Sequence, residues 1–316
     1  MKGNRPKKIL VSGSIVYDRI MNFPGLFKDH ILPDQTHILN VSFTLASTNE
    51  SFGGTAGNIA YNLSLLKEPV VLLGLVGSDF ERYRKWLQKN RVDFSYVRKV
   101  KNTPTASAYI MTDQADNQIS GFYPGPADVD YCALVRKIKN PALAIVSPDF
   151  KPRMIEYVRL YKELGIDYIF DPGQQITSFT TFELRQLISG AKVLIGNDYE
   201  IKLILNKLKT DLDKLQKLVE ILVVTKGALG SQIYFKDERI DIDPVKVKEA
   251  LDPTGAGDAY RAGLIKGLLS GAGLEKAGRL ASTVAAYTVE ALGTQTHHFT
   301  LKEFTNRYKQ NYEIRR

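Results

Sequence analysis

The stretch LDPTGAGDAYRAG, residues 251–263, decides how this 316-residue chain is read. Gly255 and Gly257 let the backbone turn sharply and approach a ligand closely. Residues 256–270 then read as a helix. A helix start leaves its first N–H groups without intrahelical acceptors, and the macrodipole adds positive potential there. A glycine turn opening a helix is therefore an anion site suited to a phosphoryl group. Asp258 falls in the first turn, where a carboxylate could take the proton of a hydroxyl attacking phosphorus. It could equally be a helix-start acid stabilised by the dipole. The stretch alone leaves both open.

Working outward, the chain alternates buried strands and helices. From residue 141 it reads strand ALAIVS, helix 151–164, strand DYIFD, helix 181–189, strand KVLIG, helix 198–207 and strand EILVVT. SQIYF and RIDID follow as an antiparallel pair, then helices at 256–270, 274–291 and 301–309. Before residue 141, residues 8–15 read as a buried strand, 56–67 as a helix and 70–76 as a strand. Residues 79–90 read as an amphipathic helix with Asp79 near its N-cap. This rhythm predicts an α/β fold, a mostly parallel sheet with helices on both faces. Residues 36–51 and 104–123 alternate polar and apolar side chains outside the rhythm. They are expected to form a small sheet, a lid over the strand C-termini, inserted within one domain spanning 1–316. The competing reading makes them edge strands of the main sheet.

Composition bounds the function. With 44% hydrophobic and 24% charged residues the chain can bury a large core. Its one cysteine, Cys132, excludes an intrachain disulfide and a multi-cysteine metal site, and fits a reducing, cytoplasmic setting. The basic, then apolar N-terminus is cut short by Asp18 and Arg19, so it reads as a first strand and not a signal peptide. No run is long enough to span a bilayer, so no membrane partner is expected. The net charge of +9 is scattered among acids, without a basic block, which argues against a nucleic-acid partner. Neither GxxxxGK[ST] nor GxGxxG occurs.

The 251–263 stretch resembles the C-terminal signature of the ribokinase-type (PfkB) family of sugar and nucleoside kinases. Phe52-Gly-Gly-Thr-Ala-Gly-Asn-Ile-Ala60 resembles the N-terminal signature, and matching segments run in order from residue 9 to 295. Ser12-Gly-Ser-Ile-Val-Tyr-Asp18, Phe23-Pro-Gly25, Phe122-Tyr-Pro-Gly125, Asp171-Pro-Gly-Gln-Gln175, Asn197-Asp-Tyr-Glu200 and Gly293-Thr-Gln295 look most like the bacterial adenosine kinase branch. The resemblance implies a ribokinase-like fold and ATP-dependent phosphorylation of the 5′-hydroxyl of a purine nucleoside, adenosine foremost, in purine salvage. Two alternatives stay open: a kinase of ribose- or fructose-type sugars, and a catalytically silent sugar- or nucleotide-binding regulator.

Residue by residue, the resemblance makes Asp258 the base, with Gly255 at the turn and the backbone N–H groups of Ala256, Gly257 and Asp258 holding the transferring phosphoryl group. Asp18 would accept two hydroxyls of the sugar, with Ser14, Gly54 and Asn58 beside it. Phe122 would stack on the base, with Gln174 and Gln175 as polar contacts. Asn197, Thr225, Gly227, Gly230, Gly293 and Gln295 would line the ATP site. Glu200 would hold Mg²⁺, largely through water. The resemblance extends to activation by K⁺ through carbonyls near Asp252 and Thr254. Where the adenosine kinase branch has a second aromatic clamp, this chain has Ala108; Tyr109 next to it points to the opposite face of a strand. Asn58 could instead brace a helix, Asn197 and Glu200 could be an ordinary helix start, and the glycines 227 and 230 could serve a hairpin. Arg261 could touch phosphate or form a salt bridge. His297 and His298 read as a surface pair, and Tyr83, Trp86 and Leu87 as core. Exposed lid edges would let two subunits pair as a homodimer.

Overall fold

A computed structural model of the chain describes residues 8–31, 39–115 and 117–313. β1 (Lys8–Ser12) is the spine of the main sheet, paired in parallel with β4 (Val70–Val76) on one side and β8 (Pro141–Val146) on the other. β5 (Asp93–Lys99) pairs with β4. β9 (Tyr168–Phe170), β10 (Val193–Asn197) and β11 (Ile221–Thr225) continue the parallel run beyond β8. The antiparallel pair β12 (Ser231–Phe235) and β13 (Glu238–Ile242) closes it, for an order of β13-β12-β11-β10-β9-β8-β1-β4-β5.

Side chains alternate between two buried layers, as period-2 packing requires when both faces are covered. Ile9, Val11, Val193, Ile195, Ile221 and Val223 face one helix layer. It comprises α1 (Thr55–Leu65), α2 (Glu81–Lys89), α7 (Ala256–Ser270), α8 (Leu274–Val289) and α9 (Leu301–Tyr312). Leu10, Leu194, Leu222 and Val224 face the other, with α3 (Lys151–Glu163), α4 (Thr181–Ile188) and α5 (Asp198–Leu208). α6 (Leu212–Gln216) is a single short turn beside it. No helix among the described residues is long and apolar enough to cross a membrane.

A separate four-stranded sheet, ordered β3-β2-β6-β7, is built from β2 (Val16–Asn22), β3 (Ser47–Gly53), β6 (Ala106–Thr112) and β7 (Gln118–Tyr123). The edge-strand reading is therefore excluded, and three details of the sequence reading are corrected. Residues 39–46 carry no strand, residues 36–38 lie outside the described residues, and the strand begins only at Ser47. The second strand of the small sheet, β2, was not foreseen. Asp18 and Arg19 break its alternation, and it is held by pairing on both sides, with β3 and β6. Asp79 does not cap α2. Its Oδ1 instead accepts the Thr105 N–H at 2.8 Å and the Thr105 hydroxyl at 2.5 Å, tying that helix to the entry of β6.

Candidate active site

The start of α7 lies at the carboxyl edge of the main sheet, where open α/β sheets place ligands. Its N-cap, Gly255, sits in the left-handed region at φ 78° and offers no side-chain cap. A Cβ there would also stand 3.0 Å from Thr294 Cβ, so both conformation and space call for glycine. Asp252 fastens this turn: its Oδ1 accepts the Thr254 N–H and its Oδ2 the Gly293 N–H, each at 2.9 Å. Burial opposes ionisation of Asp252, but these bonds outweigh it and hold the carboxyl below its ordinary range. Farther along, Gly263 and Gly267 let α7 lie directly on the backbone of Ala281 and Ala277 in α8, which fixes the aim of its N-terminus. The Ala256 N–H is spent within the turn, on Pro253 O at 3.1 Å, so it does not serve the expected phosphoryl contact. The N–H groups of Gly257 and Asp258 remain at the helix mouth.

Asp258 is half-buried in this mouth. Its Oδ2 accepts a hydrogen bond from Asn58 Nδ2 at 2.8 Å, joining α7 to α1. Burial pushes its carboxyl up to about 7. Arg261 and the Asn58 bond pull against that rise, and the carboxylates of Asp171 and Asp18 add to it. Asp18 and Asp258 thus share one cleft. Asp18, on β2, is raised to about 6 by burial. It pairs in register with Ser51 on β3 and with Ala108 on β6, and Ala108 pairs with Phe122 on β7. Residues in register point to the same face, so Asp18, Ala108 and Phe122 form one row. Tyr109 lies on the opposite face, where its hydroxyl accepts from Arg19 Nη1 at 2.9 Å. It does not replace the missing clamp. Gly53 lies against the Asp18 carboxylate, and a side chain there would collide with it.

Ser14, Phe122, Gln174 and Gln175 come together as expected, around a cavity of about 230 Å³ that also touches Asp149, Lys151 and Arg153. Phe122 is 60% exposed, leaving its ring open to a ligand. The Ser14 hydroxyl accepts the Thr55 N–H at 3.1 Å and so braces the start of α1. Gly54 has φ 84°, and a Cβ there would stand 2.5 Å from Ser14 O. Its glycine is needed where the start of α1 lies against the Ser14–Val16 backbone that joins β1 to β2. Asn58 is only 4% exposed and spends its amide on Asp258 and Gln295. In this arrangement it braces α1 against the Asp258 carboxylate, the other reading the sequence left open for it.

On the far side of the cleft, Asn197 ends β10 and is paired in register with Thr225 at the end of β11. Asn197 and Glu200 form a capping box: Asn197 Oδ1 accepts the Glu200 N–H at 2.7 Å, and Glu200 Oε2 accepts the Asn197 N–H at 2.8 Å. The capping reading therefore holds, and the Glu200 Oε1 atom is left for a second partner. Burial, with Asp171 nearby, raises the Glu200 carboxyl above its ordinary range. Among the described residues no group of three or more acidic, histidine or cysteine side chains could hold a metal. A single carboxylate fits an ion that keeps most of its waters, as Mg²⁺ does, and fits no fully protein-bound ion. Gly227 and Gly230 shape the turn into β12, with Gly230 N–H donating to Gly227 O at 3.1 Å. Gly293 at φ 86° receives the Asp252 tether. Gln295 is a correction: it is 3% exposed and bonded to Asn58, Tyr83 and Trp86, so it lines no nucleotide surface.

Arg261 is buried and forms a two-pronged pair with Asp171, Nη2 to Oδ1 at 2.7 Å and Nε to Oδ2, while its Nη1 lies beside Gly257 at the helix mouth. His297 is buried, not on the surface, with Nε2 2.8 Å from Asn62 Oδ1. Tyr83, Trp86 and Leu87 pack in the core, as the sequence reads them. Sequence reasoning missed the Asp149–Arg153 pair beneath the cavity. Arg153 and Asp149 pair four residues apart, a spacing common on any charged helix.

A profile of the pfkB family carbohydrate kinases matches residues 7–300. The nucleoside kinase of Methanothermobacter thermautotrophicus is 38% identical over 266 residues, covering 82% of this chain and 84% of that protein. Burkholderia thailandensis nucleoside kinase in complex with inosine superposes with a TM-score of 0.85 at 36% identity, covering 97% of this chain and 98% of that one. The same enzyme in complex with ADP-inosine gives 0.83 at 37% identity, covering 98% and 96%. The chain belongs to the pfkB family of carbohydrate kinases, enzymes that transfer a phosphoryl group to a hydroxyl.

Proposed function

We propose that this member of the family transfers the γ-phosphoryl group of ATP to the 5′-hydroxyl of a purine nucleoside. The observation that carries the reading is Asp258, raised to about 7 at an uncapped glycine-lined helix start, with Asp18 close enough to raise it further. A base whose pKa lies near ambient pH combines ionised population with proton affinity. Asp18 accepts two O–H bonds from the vicinal diol of the ribose, which aims the 5′-hydroxyl at Asp258. Asp258 takes that proton as oxygen attacks phosphorus. The Gly257 and Asp258 N–H groups and the α7 dipole meet the developing charge. Mg²⁺, when bound, neutralises phosphate charge, and Glu200 would orient it through water. K⁺ at carbonyls near Asp252 and Thr254 belongs to the same proposal. So does closure of the small sheet to exclude water.

The base lies against Phe122, with Gln174 and Gln175 at its edge. The Ala108 gap in the row between Asp18 and Phe122 suits a pocket that admits several bases, adenine among them and hypoxanthine as well; the Burkholderia relative is known with inosine. All six residues of edge strand β7 are exposed, which suits pairing of two subunits through the small sheet. Phosphorylation of adenosine, inosine, guanosine, ribose and fructose with ATP tests the function. Activity on nucleosides is expected. Activity on free sugars alone would reject the nucleoside, and nucleoside binding without turnover would reject the enzyme in favour of a regulator.

A further inference from the structure

We propose that Trp86 and Gln295 are positioning residues for this transfer, a relay that makes Asn58 present an N–H, and not a carbonyl, to Asp258; the proposal rests on the kinase reading above. The relay begins at a group with no choice. An indole N–H only donates, and Trp86 Nε1 lies 2.9 Å from Gln295 Oε1. Gln295 must then turn its amide nitrogen inward. That nitrogen donates to Asn58 Oδ1 at 2.9 Å and to the Tyr83 hydroxyl at 2.6 Å. Tyr83 spends its own hydrogen on Gly53 O at 2.8 Å, so toward Gln295 it can only accept. Two independent neighbours thus dictate the same orientation of Gln295. With its Oδ1 taken, Asn58 must offer Nδ2 to Asp258, 2.8 Å away.

The relay is enclosed. Asn58, Gln295 and Tyr83 are at most 4% exposed, so few waters compete and each bond is strengthened by the low local dielectric. Gly57 of α1 marks its path: a side chain there would strike the Tyr83 hydroxyl and stand 3.2 Å from Gln295 Nε2. Reversing the Asn58 amide would set a carbonyl oxygen against the carboxylate, and Asp258 would hold its proton more tightly. The other groups acting on Asp258 are Asp18 from β2, Asp171 after β9 and Arg261 on α7 itself, while Glu200 on α5 acts on Arg261.

Two variants test it. Trp86→Phe keeps an aromatic ring against Phe52 and Tyr61 and removes the obligate donor. Gln295→Met keeps the length, adds no charge and removes the donor that holds Asn58 Oδ1, so nothing then prevents Asn58 from flipping. The readouts are the pH profile of kcat/KM with inosine and ATP, the KM for each substrate, and a carbon-13 NMR titration of the Asp258 carboxyl. Loss of a hydrogen bond to an ionised group raises a carboxyl by about one to two pH units. We expect the Asp258 titration and the acid limb to move up together, farther in Gln295→Met than in Trp86→Phe, where the Tyr83 hydroxyl still orients Gln295, with the KM for ATP unchanged. A raised KM for ATP with an unmoved acid limb would make Gln295 a nucleotide contact and overturn the proposal. So would a lowered Tm with both titration and limb unmoved, the mark of a purely structural role. If the unaltered protein turned over no nucleoside, the kinase reading would fall, and the NMR titration of the variants would still decide the relay.

Discussion

Replacing Asp258 with asparagine keeps the size of the side chain and an oxygen to accept the 2.8 Å bond from Asn58. It removes the proton acceptor. A positioned base contributes about 10²–10⁴ in rate, equivalent to roughly 3–5 kcal/mol of barrier. Burial pushes the Asp258 carboxyl up to about 7, toward the range in which a general base works well at neutral pH. The kcat should therefore fall by about 10²–10⁴. The nucleoside KM should move little, because Asp18, Phe122 and Gln174 are untouched. Stability should change in the opposite sense. The folded carboxyl stands at about 7 against an ordinary 3.8, so the native state holds the proton more tightly than the unfolded chain. Asp258 thus contributes stability at low pH that is lost as pH rises through about 7. In mildly alkaline buffer the substitution removes that cost, and Tm should not fall. Steady-state formation of ADP and nucleoside monophosphate, with calorimetry in the same buffer, measures both. A kcat that survives the substitution unchanged would refute Asp258 as the base, and a large fall in Tm would refute the account of its burial.

Other outcomes follow from the same geometry. In the unaltered enzyme kcat/KM should drop on the acid side as Asp258 protonates near 7 and Asp18 near 6, giving a limb steeper than one proton; a limb centred near the ordinary carboxyl range would contradict the burial of both. Phe122→Ala should raise the nucleoside KM by the worth of one stacked base, about 1–3 kcal/mol, and leave the KM for ATP alone; equal effects on both substrates would remove Phe122 from the base pocket. Arg261→Ala leaves the buried Asp171 carboxylate without its partner and should cost about 3–5 kcal/mol in urea unfolding, whereas a loss of ATP affinity at unchanged stability would restore Arg261 as a phosphate contact.

The parts of the site legible in the chain are those set within a few residues. The Gly255 turn, the capping-box spacing of Asn197 and Glu200, and the alternating cores of β8 to β11 each follow from local conformation and period. The fate of Arg261 was not legible. The salt bridge depends on the arrival of Asp171, ninety residues away in sequence, and it leaves Nη1 beside Gly257. β5 escaped because it is an edge strand, half solvated, whose sequence DFSYVRK shows no buried run.

By itself the sequence determined the α/β layering, the glycine-lined start of α7 and the acid in its first turn, because hydrophobic period and backbone freedom are properties of neighbouring residues. The tertiary structure alone decided which partner each polar group meets. Asn58 meets Asp258 across 200 residues and Gln295 meets Asn58 across 237, so an amide read as a hydroxyl contact became a brace, and one read as a nucleotide contact became its support. The physical reason is that a buried polar group must find a partner, and which partner is near is a property of packing rather than of order along the chain.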